Sequence, residues 1–312
     1  MHSTMIDTRL ISLPHGISLS CRVAGEAGRP VLMFLHGFPE GAFVWDALLA
    51  HFAKPENGAY FCIAPNLRGF GKSSAPTEAD AYRPKHLMQD IAALVAEVCP
   101  SDKRQLECLV AHDWGGAIAW NLAAAMPQLM KKLAIINSPH PGTFLRELQH
   151  SPAQQAASAY MNFLIRPDAE ALLARDDFRR LWQFLTNGSD HPPAWLSDSV
   201  KDQYREVWGA GLTGGCNLYR ASPLRPPRPR PPHNDPAAAA VTLARERLMV
   251  LLPTLVIWAL DDIALPPALI EGLADYVPAM QLQPVPGASH WIVHEQPERV
   301  AAYLQDFLDP VR

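Results

Sequence analysis

The sequence predicts an α/β fold with a mostly parallel, doubly wound sheet and a mainly helical cap inserted after the sixth strand. Short, almost continuous apolar runs such as "VLMFLHG" and "TLVIWALDD" alternate with helical segments along much of the chain. Apolar runs of this length are typical of strands that helices cover on both faces. The 312 residues, 48% of them hydrophobic, are enough for a large buried core.

The predicted strands and helices alternate along the chain after an N-terminal hairpin. "TRLISL" and "ISLSCRV" alternate in polarity and flank "PHG", which predicts an N-terminal β-hairpin. Helices are expected at about 43–52, 84–98 and 115–126. The intervening strands are expected at "VLMFLHG", "YFCIAPN", "LECLVAH" and "KKLAIINS", and the sheet resumes at "PTLVIWALDD" and ends near "MQLQPVPGASHW". This alternation of strands and helices predicts the doubly wound arrangement.

A long interruption of this alternation predicts the cap. The stretch from about 139 to 236 is helix-like and rich in Trp and Tyr, and it ends in "SPLRPPRPRPPHNDP", which has too much proline for a helix or strand interior. We therefore expect a core at 1–138, a cap with a proline-rich exit linker at 139–236, and the rest of the core at 237–312. The Arg/Pro tract is also compatible with a peptide-recognition ligand.

Composition limits the partners and the compartment. The formal net charge is −4 and no basic block occurs, so a nucleic-acid partner is not expected. The N-terminus lacks a signal-peptide pattern, and the longest apolar stretch is broken by Pro253, so neither secretion nor a membrane span is predicted. The five scattered cysteines predict buried thiols in a reducing compartment. We expect a soluble cytoplasmic protein, and the sequence leaves a homodimer open.

The segment "LECLVAHDWGGAIAW" carries the first chemical signal. A strand runs directly into a helix, and the turn is flanked by the small residues Ala111, Gly115 and Gly116, which is typical of a nucleophile elbow. Serine usually occupies the tip, whereas this chain has Asp113. A carboxylate suits displacement at a saturated carbon, which forms an alkyl ester that water can then hydrolyse. The predicted substrate is therefore an epoxide or a halide, and the alternative is a helix-capping Asp113.

Hydrolysis of such an ester needs a base for water and an acid that orients the base. "TLVIWALDD" places Asp262 just after a strand, and "VPGASHW" places His290 in a loop near the end of the sheet. The order Asp113, Asp262, His290 is the order of nucleophile, acid and base expected for this elbow.

Three other residues near these positions fit the roles of base and acid less well. His294 is a second candidate base, but its place after "WIV" favours a neutral packing histidine. Asp261 is expected to be a solvated neighbour of the acid. Asn137 follows the strand "KKLAIIN", where an acid can also arise, but its amide cannot carry the charge.

The loop after "VLMFLHGFPE" is expected to complete the oxyanion hole. The backbone N–H of Phe38 can turn inward and pair with the N–H of Trp114, the residue after the nucleophile. Pro39 follows Phe38, so the bond between them is a candidate for a cis peptide.

Seven short strings are spread over nearly the whole chain: "HGFPE", "PNLRGFGKSS", "HDWGGAIAW", "NSPHP", "NLYRA", "DDIALPP" and "GASHW". Together they resemble the epoxide hydrolases of the α/β-hydrolase superfamily. Asn66, in "PNLRGFGKSS", departs from the aspartate frequent at that position, and we expect it to affect loop hydrogen bonding.

The resemblance implies an α/β-hydrolase fold and two cap tyrosines that protonate the oxygen of the opening epoxide. Tyr219, in "NLYRA", matches one of these positions well, and Tyr160, in "ASAYMNFL", matches the other more loosely. Both could also be ordinary aromatic residues over an apolar cavity. His36, Pro39 and Trp114 are expected to line the substrate pocket. The implied substrate is a small epoxide with an apolar or aromatic substituent.

Two other functions remain compatible with the sequence. A haloalkane or haloacetate dehalogenase would also use Asp113, and the indole N–H of Trp114 could hold the halide, but Phe38 offers no side-chain donor. A non-catalytic receptor on the same fold would not need an intact nucleophile, acid and base. "GFGKS" and "HEQPE" lack residues that a P-loop and a zinc site require, so no cofactor and no metal are predicted.

Overall fold

An eight-stranded sheet forms the centre of the computed structural model, which describes residues 5–99, 104–189, 191–228 and 241–309. The strand order is β1-β2-β4-β3-β5-β6-β7-β8. The β1–β2 hairpin lies at one edge and pairs antiparallel with β4, and all other pairs are parallel. The strands are β1 (Asp7–Ser12), β2 (Ser18–Ala24), β3 (Val31–Leu35), β4 (Phe61–Pro65), β5 (Leu106–His112), β6 (Met130–Ile136), β7 (Thr254–Ala259) and β8 (Met280–Val285).

Helices surround this sheet in two groups. In one, α3 packs on β5 and β6 and contacts α2; in the other, α12 packs on β7 and contacts α1. The helices are α1 (Asp46–Phe52), α2 (Pro84–Val98), α3 (Asp113–Ala125), α4 (Pro141–His150), α5 (Pro152–Ala157), α6 (Tyr160–Leu164), α7 (Ala169–Leu173), α8 (Arg175–Leu185), α9 (Asp198–Gly209), α10 (Thr213–Ala221), α11 (Ile292–Glu295) and α12 (Pro297–Leu308).

Two strands of the sheet interior, β3 and β7, are buried along their whole length. Every residue of β3, "VLMFL", and of β7, "TLVIWA", is buried. Each such apolar side chain contributes about 1.5–3 kcal/mol when it is removed from water, so these strands anchor the fold. The prediction of a mostly parallel, doubly wound α/β sheet is confirmed.

The chain between β6 and β7 is helical in the part that the structure describes. Helices α4 to α10 all lie there, whereas the other five helices lie outside this insertion. Residues 223–228 form neither helix nor strand, and the remainder of the predicted exit linker up to 236 falls outside the described residues. The precise limits of the cap stay a prediction.

Loops at the carboxyl ends of the central strands place the predicted site residues. Phe38 follows β3, Asp113 follows β5, Asp262 follows β7 and His290 follows β8. In an open α/β sheet this edge is where ligands bind, because the loops there converge.

All five cysteines lie among the described residues and are buried, unpaired thiols. No described helix is long and apolar enough to cross a membrane. Asn66 accepts a hydrogen bond from the N–H of Ala42 at 2.9 Å, which is the loop role expected for it.

Candidate active site

Asp113 sits on a strained turn between β5 and α3. Its φ of +48° lies in the left-handed region, which costs a non-glycine residue about 1–3 kcal/mol. The turn also requires glycine at two neighbouring positions. A Cβ atom on Gly37 would overlap the Asp113 carboxylate, and one on Gly115 would overlap the carbonyl of Leu35. The strand, the turn and the helix thus hold the carboxylate in one place.

The Asp113 carboxylate faces both predicted oxyanion donors and the predicted base. Its Oδ1 accepts a hydrogen bond from the N–H of Phe38 at 2.8 Å, and its Oδ2 lies 3.8 Å from Nε2 of His290. Burial raises the pKa of Asp113, while the charge of the nearby histidines and the N–H groups of Phe38 and Trp114 oppose that rise. The bond between Phe38 and Pro39 is cis.

Asp262 holds the other side of His290. Its Oδ2 lies 2.6 Å from Nδ1 of His290, and its Oδ1 accepts hydrogen bonds from the N–H groups of Ala264 and Leu265, both at 2.9 Å. Asp262 is buried, whereas Asp261 is exposed. The loop after β7 therefore directs Asp262, and not its neighbour, into the site.

Charge dominates the electrostatics of this pair. Burial lowers the pKa of His290, but the charge and hydrogen bond of Asp262, together with the charges of Asp113 and Glu40, outweigh burial and raise that pKa to about 9. Burial raises the pKa of Asp262, but the charge and hydrogen bond of His290 outweigh it, so the net pKa is lowered. The carboxylates of Asp113 and Asp262, on either side of His290, thus favour its imidazolium form.

Tyr160 and Tyr219 lie across from Asp113, on α6 and α10. Their rings are 6.1 Å apart, and the Tyr219 ring contacts Phe38 and Trp114 at 5.4 and 5.0 Å. The Tyr219 ring thus lies between the rings of Tyr160 and Trp114. Burial, with the charge of Asp113 adding to it, raises the pKa of both phenols, so both stay protonated.

Two cavities meet at Asp113, Tyr160 and Tyr219. One, of about 200 Å³, is bordered mostly by apolar side chains. The other, of about 570 Å³, reaches His290 and Asp262 and has polar residues on α8 at its far side. Both cavities are lined by Asp113, Tyr160 and Tyr219.

His36 and Pro39 line neither of these cavities, in contrast to the expectation that they would contact the substrate. His36 is fully buried, its Nε2 accepts a hydrogen bond from the N–H of Leu67 at 3.0 Å, and burial lowers its pKa to about 4. The carbonyl of Pro39 accepts a hydrogen bond from the indole of Trp208 at 2.6 Å. Both residues fix the loop that carries Phe38. Trp114, the third residue predicted for the pocket, does line the smaller cavity.

Asn137 has a role that its inability to carry charge concealed. Its side chain donates to Oδ2 of Asp262 at 2.9 Å and accepts from the N–H of Ala259 at 2.8 Å. Asn137 also adopts a positive φ of +38°, which asparagine tolerates better than most residues. The acid is therefore oriented by a neutral neighbour from the adjacent strand.

A second buried network, formed by Glu40, His112 and His294, lies beside the loop that carries His290. This network was not predicted. Nδ1 of His112 lies 2.9 Å from Oε2 of Glu40, and its Nε2 lies 3.0 Å from the carbonyl oxygen of His290. His294, expected to be a packing residue, instead has its Nε2 3.3 Å from Oε1 of Glu40. The strings "HGFPE" and "HDWGG" contain Glu40 and His112, but sequence alone does not show that these residues meet.

Among the described residues, no group of three or more His, Cys, Asp or Glu side chains is arranged to hold a metal ion. The site geometry described above consists of side chains and backbone N–H groups of this chain. Its components are a buried carboxylate, a charged histidine–aspartate pair, two phenols and two amides.

Comparisons with known proteins agree with this geometry. A family model described as the alpha/beta hydrolase fold matches residues 30–297. The chain is 33% identical over 298 residues to the AB hydrolase superfamily protein YfhM of Bacillus subtilis, covering 94% of this chain and 95% of that protein. It is 31% identical over 301 residues to epoxide hydrolase 3 of Xenopus tropicalis, covering 94% and 75%.

A solved structure leads to the same family. It represents epoxide hydrolases of the α/β-hydrolase superfamily found in metagenomes from hot environments, and it is 35% identical to this chain. It superposes with a TM-score of 0.83 and covers 97% of this chain and 99% of its own. The chain therefore belongs to the alpha/beta hydrolase fold family and, within it, to the epoxide hydrolases.

Proposed function

We propose that this protein opens an epoxide to a vicinal diol through a covalent ester on Asp113. One observation carries the proposal: Asp113, Tyr160 and Tyr219 all line both cavities. A nucleophile and two proton donors thus converge on the point where a substrate in either cavity would place its reactive group. Ring opening needs this pairing, because the attacked carbon gains an oxygen while the ring oxygen needs a proton.

The first step joins Asp113 to one carbon of the ring. An oxygen of the carboxylate forms a bond to that carbon, and the bond from the carbon to the ring oxygen breaks. A phenol of Tyr160 or Tyr219 gives its proton to the oxygen that leaves. Both phenols are protonated at neutral pH because burial and the charge of Asp113 raise each pKa, so they serve as acids rather than as bases.

The second step hydrolyses the ester with water activated by His290. Ester formation removes the charge of Asp113, which is one of the charges that raise the pKa of His290, so the imidazole becomes able to accept a proton. His290 gives its proton to the phenolate that ring opening left on Tyr160 or Tyr219, which restores the phenol and leaves a neutral imidazole. Water then attacks the ester carbonyl, and the N–H groups of Phe38 and Trp114 stabilise the oxyanion.

Asp262 stabilises the imidazolium that forms again during this attack. Its contact with Nδ1 of His290 at 2.6 Å leaves Nε2 of the same ring directed toward Asp113, 3.8 Å from Oδ2. A water placed near that Nε2 would lie beside the ester carbonyl. Cleavage of the acyl–oxygen bond then expels the alkoxide, which takes up the proton of the new Asp113 carboxyl group, so that the diol is released and the carboxylate and the imidazolium are restored.

The cavities support an epoxide with an apolar or aromatic substituent. The smaller cavity is lined by Trp114, Ile118, Phe144 and Met161, which provide apolar contact without a charged group. A substituent placed there would leave water, and each buried methylene would contribute about 0.8 kcal/mol.

The geometry favours an epoxide over a halide as substrate. The ring of Tyr219 packs edge-on against the indole of Trp114, with 5.0 Å between the centroids, so a leaving group beside this indole also lies beside a phenol. Phe38 has no side-chain donor. The two phenols, in contrast, suit an oxygen that gains a proton.

A single-turnover reaction in oxygen-18 water tests the proposal. Enzyme in excess is mixed with an epoxide that bears an aromatic substituent, and the peptide containing Asp113 is analysed by mass spectrometry. We expect the label in Asp113 and none in the first diol released, since water attacks the ester carbonyl. Label in that first diol would show direct attack of water on the ring and would overturn the covalent scheme. Halide release from a chloroalkane of similar size checks the rival activity.

A further inference from the structure

The buried network beside the loop that carries His290 extends to His294. The role of His294 goes beyond packing. We propose that His294 is a positioning residue for ester hydrolysis, acting on His290 through Glu40 and His112. This inference rests on the proposed function, because it assigns His294 to one of the two proposed steps. Three observations support it, and they follow in order from the base outward.

The first observation is that His112 anchors the backbone of the base. Its Nε2 lies 3.0 Å from the carbonyl oxygen of His290, and its Nδ1 lies 2.9 Å from Oε2 of Glu40. The imidazole ring of His112 thus bridges the carbonyl of His290 and the carboxylate of Glu40. The place of the His290 backbone therefore depends on where Glu40 holds His112.

The second observation is that His294 faces the other oxygen of Glu40. Glu40 is fully buried, and its Oε1 has no aligned hydrogen bond among the described residues. Nε2 of His294 lies 3.3 Å from this oxygen, and the side chain of Tyr204 also interacts with Glu40. A buried carboxylate oxygen without a donor is unfavourable, so removal of His294 would let Glu40 shift.

The third observation is that His294 is held in place by the helical insertion between β6 and β7. The indole of Trp195 stacks on its ring at 4.4 Å with an interplanar angle of 9°. The hydroxyl of Tyr204 on α9 lies 2.8 Å from its Nε2. His294 itself lies on α11, four residues after His290. The network thus connects the insertion to the loop of the base.

The two proposed steps depend on this network to different extents. Ring opening uses Asp113 and the phenols, whereas hydrolysis requires His290 to approach water at the ester carbonyl. A displacement of the base of about 1 Å can reduce a rate on the order of 10²-fold. Loss of His294 should therefore slow hydrolysis and leave ester formation nearly unchanged, so the covalent ester accumulates.

Transient kinetics on the full chain separate the steps. Rapid quenching and intact-mass analysis follow formation and decay of the ester in the wild type, His294→Leu, His294→Gln and Tyr204→Phe. We expect His294→Leu to slow ester decay on the order of tenfold or more, while formation changes little. His294→Gln keeps a donor toward Glu40 and should recover most of the decay rate. Tyr204→Phe should have a smaller effect on decay alone.

His15→Gln is the matched control. Nε2 of His15 also contacts a buried carboxylate, Oδ1 of Asp90, at 2.7 Å, but neither residue contacts His290 or lines the two cavities. This variant should keep both rates. If His294→Leu does not fold, His294→Gln and Tyr204→Phe still report the decay rate.

Three outcomes would overturn the inference. They are wild-type ester decay in His294→Leu, equal slowing of both steps in that variant, and equal slowing of decay in His294→Leu and His294→Gln, which would mean that the donor is irrelevant. Absence of an ester in the wild type is a different result, since it rejects the proposed covalent mechanism itself.

Discussion

Replacement of Asp113 by Asn is expected to lower the pKa of His290 strongly. The amide keeps the shape of the carboxylate but lacks its charge, and in that respect it imitates the proposed ester. In the protein as it stands, His290 has a pKa of about 9, to which the charge of Asp113 contributes. The imidazolium is the form that this charge stabilises, so its removal must shift the pKa downward.

The distance between the two groups sets the size of the effect. Nε2 of His290 and Oδ2 of Asp113 are 3.8 Å apart, and the side chains are only 10% and 14% exposed, so solvent screens them little. At an effective dielectric constant of about 20, Coulomb's law gives an interaction of about 4 kcal/mol. That energy corresponds to a pKa decrease of about 3, which returns His290 to near the ordinary histidine value.

Nuclear magnetic resonance of protein labelled with nitrogen-15 in histidine measures this pKa directly. The resonance of His290 is assigned by its loss in His290→Gln, and its titration is compared between the wild type and Asp113→Asn. An unchanged midpoint in Asp113→Asn would refute the reasoning that ester formation converts His290 into a base.

Stability provides a second readout of the same shift. A raised folded-state pKa of His290 adds stability that is fully present below the unfolded value of 6.5 and is lost as pH rises through about 9. In Asp113→Asn this loss should be much smaller over the same range, as measured by denaturant unfolding at several pH values.

Three further substitutions test separate parts of the site. Asp262→Asn should reduce the rate of ester decay on the order of 10³- to 10⁴-fold, because His290 loses its charged partner. A single-turnover experiment measures this rate, and a much smaller reduction would contradict the prediction. Tyr219→Phe should slow ester formation about 10²-fold through loss of a proton donor; rapid-quench data with an unaffected formation rate would assign that proton elsewhere. Gly37→Ala should lower stability by about 1–3 kcal/mol or more by crowding Asp113, and a thermal melt identical to wild type would contradict the close approach.

Much of the sheet could be predicted because its strands are buried on both faces. Strands such as "VLMFL" and "TLVIWA" show continuous apolar character that few other elements share. Asp113 could be placed because a strand running into a helix through small residues leaves one geometry for the turn. Tyr160 also lines both cavities, although its surrounding sequence matched the family only loosely.

The second network could not be predicted for a physical reason. The members of the network come from a loop (Glu40), the end of β5 (His112) and two helices (Tyr204 and His294), which are far apart in the chain. Their pairing depends on how the helical insertion covers the sheet. His294 follows an apolar "WIV" and has the sequence context of a packed residue, and only the approach of Glu40 and Tyr204 distinguishes it. Local pattern reports burial well but does not report which buried polar groups meet.

The helical insertion leaves and re-enters the sheet at β6 and β7, which are direct neighbours. Its two ends are anchored side by side, so its length and sequence can change without altering the register of any strand. Asp113, the proposed nucleophile, precedes this insertion, and Asp262 and His290, the proposed acid and base, follow it. Recombination at its ends could therefore exchange substrate selectivity between relatives, provided that each donor segment continues to supply counterparts of Tyr160 and Tyr219.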